Sequence, residues 1–127
     1  VYGPRLNMSG QYSAVFGNFL KQKKNNKPLT IVGDGKQTRD FIHVDDLTNA
    51  FIKVAKSRLV NKIYNLGSGK ETSINKIANL FGGKKIFIPK RPREPKRSLA
   101  NISKIKKDIN WKPTITIQEG IKRLLKN

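Results

Sequence analysis

Short apolar runs alternate along this chain with amphipathic stripes, and that alternation limits the fold more than any other feature. Leu29-Thr30-Ile31-Val32, Phe41-Ile42-His43-Val44, Lys62-Ile63-Tyr64-Asn65-Leu66 and Ile86-Phe87-Ile88 read as extended segments. Between and around them, apolar residues recur at helical spacing. Tyr12, Val15, Phe16, Phe19 and Leu20 form one face; Leu47, Ala50, Phe51, Val54 and Ala55 form a second. Ile74, Ile77, Ala78 and Phe81 make a third stripe, Ile102, Ile105 and Ile109 a fourth, and Ile117, Ile121, Leu124 and Leu125 a fifth. Such a pattern predicts an α/β or mixed α+β domain. The strands are short, and no long central strand nucleates a sheet. Both features suit a subdomain that leaves an apolar face open to a packing partner.

Local chemistry marks the ends of these elements. Ser9 or Asn7 can cap the first helix, Asp45-Asp46 the second, Thr72 or Ser73 the third and Asn101 the fourth. Thr116 and Glu119 have capping-box spacing for the last helix. Gly33-Asp34-Gly35 predicts a turn, Gly82-Gly83 a helix stop, and Trp111-Lys112-Pro113 a break after the fourth helix.

With 127 residues the chain suffices for one domain, here residues 1–127. It carries 27 Lys and Arg against 8 Asp and Glu, a formal charge of +19. Such a field attracts polyanions, whether nucleic acid, acidic membrane or phosphorylated ligand. The basic residues fall in short clusters opposite apolar stripes, the pattern of solvated faces. Without cysteine there is no disulfide and no thiol nucleophile, and His43 alone cannot build a histidine zinc site. No run is long enough for a transmembrane helix and no secretory signal is recognisable, which leads us to expect a cytoplasmic protein.

Several segments can carry chemistry. Arg39 follows a glycine-rich turn, where a guanidinium can grip a phosphate bidentately or simply pair with Asp40 or Asp45. Gly67-Ser68-Gly69 can present amides to an anion or serve as a plain turn. The segment 90–97 holds arginines between prolines, as a diphosphate clamp or a solvated basic loop. No catalytic acid/base pair and no acidic metal cluster stand out, and Tyr-x-x-x-Lys is absent.

Taken in order, these pieces resemble the extended short-chain dehydrogenase/reductase family, in its nucleotide-sugar epimerase/dehydratase branch. Val1-Tyr2-Gly3-Pro4-Arg5 is similar to the family's N-V-Y-G-P-R stretch, entered after its asparagine. Residues 29–46 resemble its strand and G-D-G-x-Q-x-R-D-F-x-x-V-D-D, 64–69 its Y-N-x-G-x-G, and 90–112 its R-P-G-E-P through L-G-W-x-P. Arg93, Asn101 and Asn110 depart from the usual glycine, aspartate and glycine.

The resemblance implies the C-terminal part of an extended Rossmann-type fold, lacking most of the doubly wound sheet. It implies that Arg39 and Arg91 bind a nucleotide-sugar diphosphate and that Glu94 bonds the ribose. Phe41 would lie beside Arg39 on the same strand. The backbone of Thr30 and Val32 would pair with the base, typically uracil, while Val15 would line the pocket and Tyr2 would sit near NAD. A Rossmann half with the NAD fingerprint and catalytic tyrosine would precede Val1, so this chain alone would be inactive. The implied reaction is UDP-hexose 4-epimerisation by transient C4 oxidation, with a homodimeric enzyme. Alternatives are NDP-sugar 4,6-dehydration, UDP-glucuronate decarboxylation and, from another class, a basic nucleic-acid-binding module.

Overall fold

A computed structural model describes residues 1–6, 8 and 15–126. Among them run α1 (Val15–Lys24), β1 (Leu29–Val32), β2 (Thr38–Asp40), α2 (Val44–Lys56), β3 (Glu71–Ser73), α3 (Ile74–Phe81), β4 (Lys85–Ile88), α4 (Ser103–Ile109) and α5 (Ile117–Lys126). The mixed α/β class expected from the alternation is what forms. The caps proposed at Asn7 and Ser9, and the contribution of Tyr12 to the first helix, lie outside the described residues.

The sheet is two small ribbons. β1 pairs in parallel with β4, Leu29 opposite Lys85 through Val32 opposite Ile88, and β2 pairs antiparallel with β3. In β1 the pleat turns Leu29 and Ile31 into the core and leaves Thr30 and Val32 half-exposed on the other face. Two apolar clusters fill the interior. One gathers Phe16 and Phe19 of α1, Ile77 and Phe81 of α3, Ile121 and Leu124 of α5, and Tyr2. The other packs Ile42, Ala50, Ile102 and Ile105 around Trp111. In the first, Tyr2 stacks on Phe16 with centroids 4.4 Å apart, and Phe81 meets Phe16 and Phe19 edge-on at 5.8 and 5.6 Å. Gly120 lets α5 close over Tyr2, because a Cβ there would come within 2.0 Å of the tyrosine hydroxyl oxygen.

Four local expectations are corrected. The run 62–66 is not a strand. No described strand offers it a ladder, and α4 holds it by side chains: Tyr64 donates to Asp108 (2.7 Å) and Lys104 to the Ile63 carbonyl (2.9 Å). The run 41–44 is extended only through a single bridge, His43 to Tyr2, and the regular strand lies earlier, in β2. Helix α2 starts ahead of the expected acidic caps. The His43 imidazole accepts from the Asp45 N–H (3.2 Å), which puts Asp45 and Asp46 in the first turn, favourable for the helix dipole. At α4 the cap position is Ile102, while Asn101 accepts from the Ser103 N–H instead (3.0 Å).

Other signals fall where the residues placed them. Ser73 caps α3 through the Lys76 N–H, and Gly82 ends it at φ 70°. Asn110 closes α4 in the left-handed region. Thr116 accepts from the Glu119 N–H (3.2 Å), but Glu119 turns to Arg123 (3.0 Å) rather than completing the box. The α2 stripe is wider than the surface that meets it: Ala50 is buried, whereas Phe51 and Ala55 are exposed. Ile52, Val60, Ile63 and the β4 residues Ile86, Phe87 and Ile88 also remain accessible.

The buried Asp46 joins α2 to the chain entering α5. It accepts from the Thr114 N–H (3.0 Å), the Thr114 hydroxyl (2.9 Å) and the Ile115 N–H (2.9 Å). Asp46→Ala strands these donors and is expected to lower stability by roughly 2–4 kcal/mol, read as a fall in urea midpoint at unchanged slope. A loss within experimental error would mean that the junction relaxes at no cost.

Candidate functional site

The antiparallel ribbon positions the chemistry. Its alternation sends neighbouring residues of β2 in opposite directions. Asp40 faces the glycine turn and accepts from the Ser68 N–H (2.6 Å), the Ser68 hydroxyl (2.6 Å), the Gly69 N–H (2.9 Å) and the Ala100 N–H (3.3 Å). The anion held by the Ser68 and Gly69 amides of this turn is therefore the chain's own carboxylate. Gly67 is required for this approach, since a Cβ there would lie 2.5 Å from Asp40 Oδ2.

Arg39 points the other way and pairs with neither Asp40 nor Asp45. Its Nη1 donates to the carbonyls of Thr38 and Pro95, both at 2.8 Å, and its Nη2 reaches Glu94 at 3.3 Å. The segment 90–97 is thus no free basic loop. It is fastened to β2 by Arg39, by the Thr38 N–H to Lys96 carbonyl bond (2.9 Å) and by the Ser98 N–H to Thr38 carbonyl bond (3.2 Å). Arg97 adds a two-pronged grip on Glu71, at 2.8 and 2.7 Å. Arg93 adopts φ 59°, in the left-handed region that favours glycine.

A cleft of about 480 Å³ opens between α1, β1 and this fastened loop. Val15, Thr30, Val32, Arg39, Phe41, Arg91 and Glu94, the expected substrate set, all line it. Arg39 and Arg91, far apart in sequence, therefore share one cavity. Arg91 is exposed and forms no ion pair with a described residue. Phe41 lies one residue beyond the end of β2 and is braced edge-on by Phe16 at 4.9 Å. Sequence reasoning missed Asn18, Gln22, Phe19, Gln37, Ile74 and Ile88 in the lining. For the first two the signal was present: Val15, Asn18, Phe19 and Gln22 follow helical spacing, and the polar pair sits on the cleft side of α1. A second cavity of about 490 Å³ shares Val32, Gln37 and Glu94 as a wall and is rimmed by Lys36, Lys90 and Lys96.

Tyr2 stands apart. It is 2% exposed, enclosed by Phe16, His43 and α5, and absent from the cleft lining. Burial, then the nearby Asp46 charge, push its pKa up to about 12. In this structure its side chain packs within the aromatic cluster. Among the described residues, no three His, Cys, Asp or Glu side chains gather as metal ligands, and no helix is long and apolar enough to cross a membrane.

A sequence model described as the NAD dependent epimerase/dehydratase family matches residues 1–67. A putative UDP-glucose 4-epimerase of Methanocaldococcus jannaschii is 37% identical over 98% of this chain and 42% of its own length. UDP-glucuronic acid decarboxylase 1 of Arabidopsis thaliana is 31% identical over 98% of this chain and 29% of its own length. In three dimensions, the crystal structure of a UDP-glucose 4-epimerase from Thermotoga maritima with UDP-glucose matches with a TM-score of 0.90. Its identity is 27%, over 98% of this chain and 42% of that one. The chain spans less than half the length of each. None of these matches is a nucleic-acid-binding module.

The Arg97 grip, then the Thr38 hydroxyl (2.7 Å), hold the Glu71 pKa down at about 2, below its ordinary 4.5. A depressed carboxylate stabilises the fold above its unfolded pKa and loses that contribution as pH falls through the folded value. The urea midpoint is therefore expected to drop between pH 4.5 and 2. Glu71→Gln should flatten that acid limb; an unchanged limb would show that the pair contributes nothing.

Proposed function

Because this chain belongs to the NAD dependent epimerase/dehydratase family, we propose that it is the nucleotide-sugar-binding part of a UDP-hexose 4-epimerase. The observation that carries the proposal is the convergence of Arg39 and Arg91 on one cleft whose opposite wall is the β1 edge. Two guanidinium groups can neutralise a diphosphate there, with Arg91 free to turn and Arg39 exchanging Glu94 for phosphate oxygen. Glu94, released, has ribose hydroxyls as its natural donors. Thr30 and Val32 offer backbone groups to the base, and Val15 and Phe41 supply apolar walls.

In this reading NAD supplies reversible hydride exchange at the sugar C4. Polypeptide beyond this chain holds it, since residues 1–127 contain no Gly-x-Gly-x-x-Gly. The residues described here bind and orient the nucleotide-sugar and move no proton. Tyr2 supports that work indirectly, by bracing Phe16 beneath Phe41. Residues 1–127 then form an incomplete domain, one part of a cytoplasmic homodimer. The second reading is UDP-glucuronate decarboxylation, favoured by the Arabidopsis relative. Both use the same UDP cleft, and the product released from a given UDP-sugar separates them.

Titration of the protein carrying this chain with UDP tests the cleft. Arg91→Ala removes a charge without breaking any ion pair among the described residues. It is expected to weaken UDP binding by about 10- to 100-fold, the worth of a charged hydrogen bond, with thermal stability unchanged. Arg39→Ala should weaken binding as much while also loosening the loop. Unaltered affinity in the folded Arg91→Ala protein would remove the diphosphate assignment.

A further inference from the structure

The segment that carries Arg91 and Glu94 is fastened to the antiparallel ribbon from two sides. On the cleft side Arg39 donates to the Pro95 carbonyl (2.8 Å) and reaches Glu94 (3.3 Å). The backbone adds two rungs, from the Thr38 N–H to the Lys96 carbonyl and from the Ser98 N–H to the Thr38 carbonyl. Both rungs end on one residue, so by themselves they fix a point of attachment and not its tilt. Arg97, between them, turns to the far face. There its Nε and Nη2 donate to the two carboxylate oxygens of Glu71 (2.8 and 2.7 Å), and the Thr38 hydroxyl donates to the same carboxylate (2.7 Å). Glu71 stands opposite Asp40 in the β2–β3 ladder, on the face away from Arg39. Neither Arg97 nor Glu71 lines the cleft.

We propose that Arg97 is a positioning residue for nucleotide binding: anchored on Glu71, it sets where Arg91 and Glu94 stand in the cleft without touching the ligand. The inference rests on the nucleotide-sugar reading above. Under that reading Arg39 exchanges Glu94 for phosphate, so the cleft-side fastening slackens as the ligand arrives. The Arg97 pair takes no part in that exchange. Its two-pronged contact holds a planar guanidinium in one orientation, which a single contact does not. Arg91 lies six residues before Arg97, on the stretch between the end of β4 and these anchors, so a tilt of the anchored end displaces it. The Arg97 side chain is 73% exposed. An exposed pair contributes at most modestly to global stability. Its loss is therefore felt in the placement of the segment more than in the folding of the chain.

A double-mutant cycle, read by titrating the protein carrying this chain with UDP, tests the proposal. Arg97→Ala is expected to weaken UDP binding by roughly three- to tenfold, the size of a coupling carried by a backbone shift. In the Arg91→Ala background the same substitution should cost distinctly less, since the guanidinium that it places is gone. Arg97→Lys keeps the charge and one prong, and should recover part of the loss. Should Arg97→Ala unfold, Arg97→Lys carries the cycle in its place. Glu71→Ala supplies a test of sign. It removes a negative charge, so the field alone would tighten UDP binding, whereas loss of the anchor weakens it. Thermal unfolding identifies the folded variants. A loss of equal size in both backgrounds, tighter binding in Glu71→Ala, or unaltered affinity in folded Arg97→Ala overturns the positioning role and leaves the cleft reading standing. Failure of the unaltered protein to bind UDP overturns both.

Discussion

The geometry of the cleft depends on the carboxylate of Asp40. Four donors from two remote segments converge on it, and a three-residue strand gains from them an anchor that its own ladder is too short to provide. Fixing Asp40 fixes the pleat, and the pleat aims Arg39 at the opposite face. The same logic recurs at Asp46, where three donors bind a helix to a distant turn. In a chain so rich in cations, these two acids are structural joints.

Much of this was legible in the amino-acid pattern. The stripes of α1, α3 and α5 are strict in period and fill the first cluster as their spacing requires. The turn chemistry at Ser73, Gly82 and Asn110 acts locally, so it could be read locally. What failed was everything set by a distant partner. The run 62–66 has strand-forming residues but no neighbour to pair with, and α4 side chains hold it instead. The cap of α2 shifted because the His43 ring takes the Asp45 N–H, and at α4 the Asn101 amide bonds the Ser103 N–H from one residue before the cap position. The Asp40 carboxylate in the glycine turn was invisible because it comes from 28 residues earlier in the chain.

The site divides along the same line. The seven cleft residues were named from a resemblance, and their convergence is a property of the folded chain. The packing role of Tyr2 could not be read from its motif, because its ring completes an aromatic stack with Phe16, a residue 14 positions on. Gln22 was passed over because a glutamine within a lysine-rich helix end reads as a solvated residue. Only the fold shows that it faces β1.

The attachment of Arg39 has a further consequence. Three of its five N–H groups are already committed, two to backbone carbonyls and one to Glu94. An incoming anion therefore meets no bare cation here; it swaps places with a carboxylate. The enthalpy gained at Arg39 is the difference between two charged contacts, so calorimetry would register little heat from this residue even where it governs recognition. Under the proposed function, the carboxylate freed by that exchange would be left facing the ligand. The exchange would then favour a visitor able to accept at one end and donate at the other.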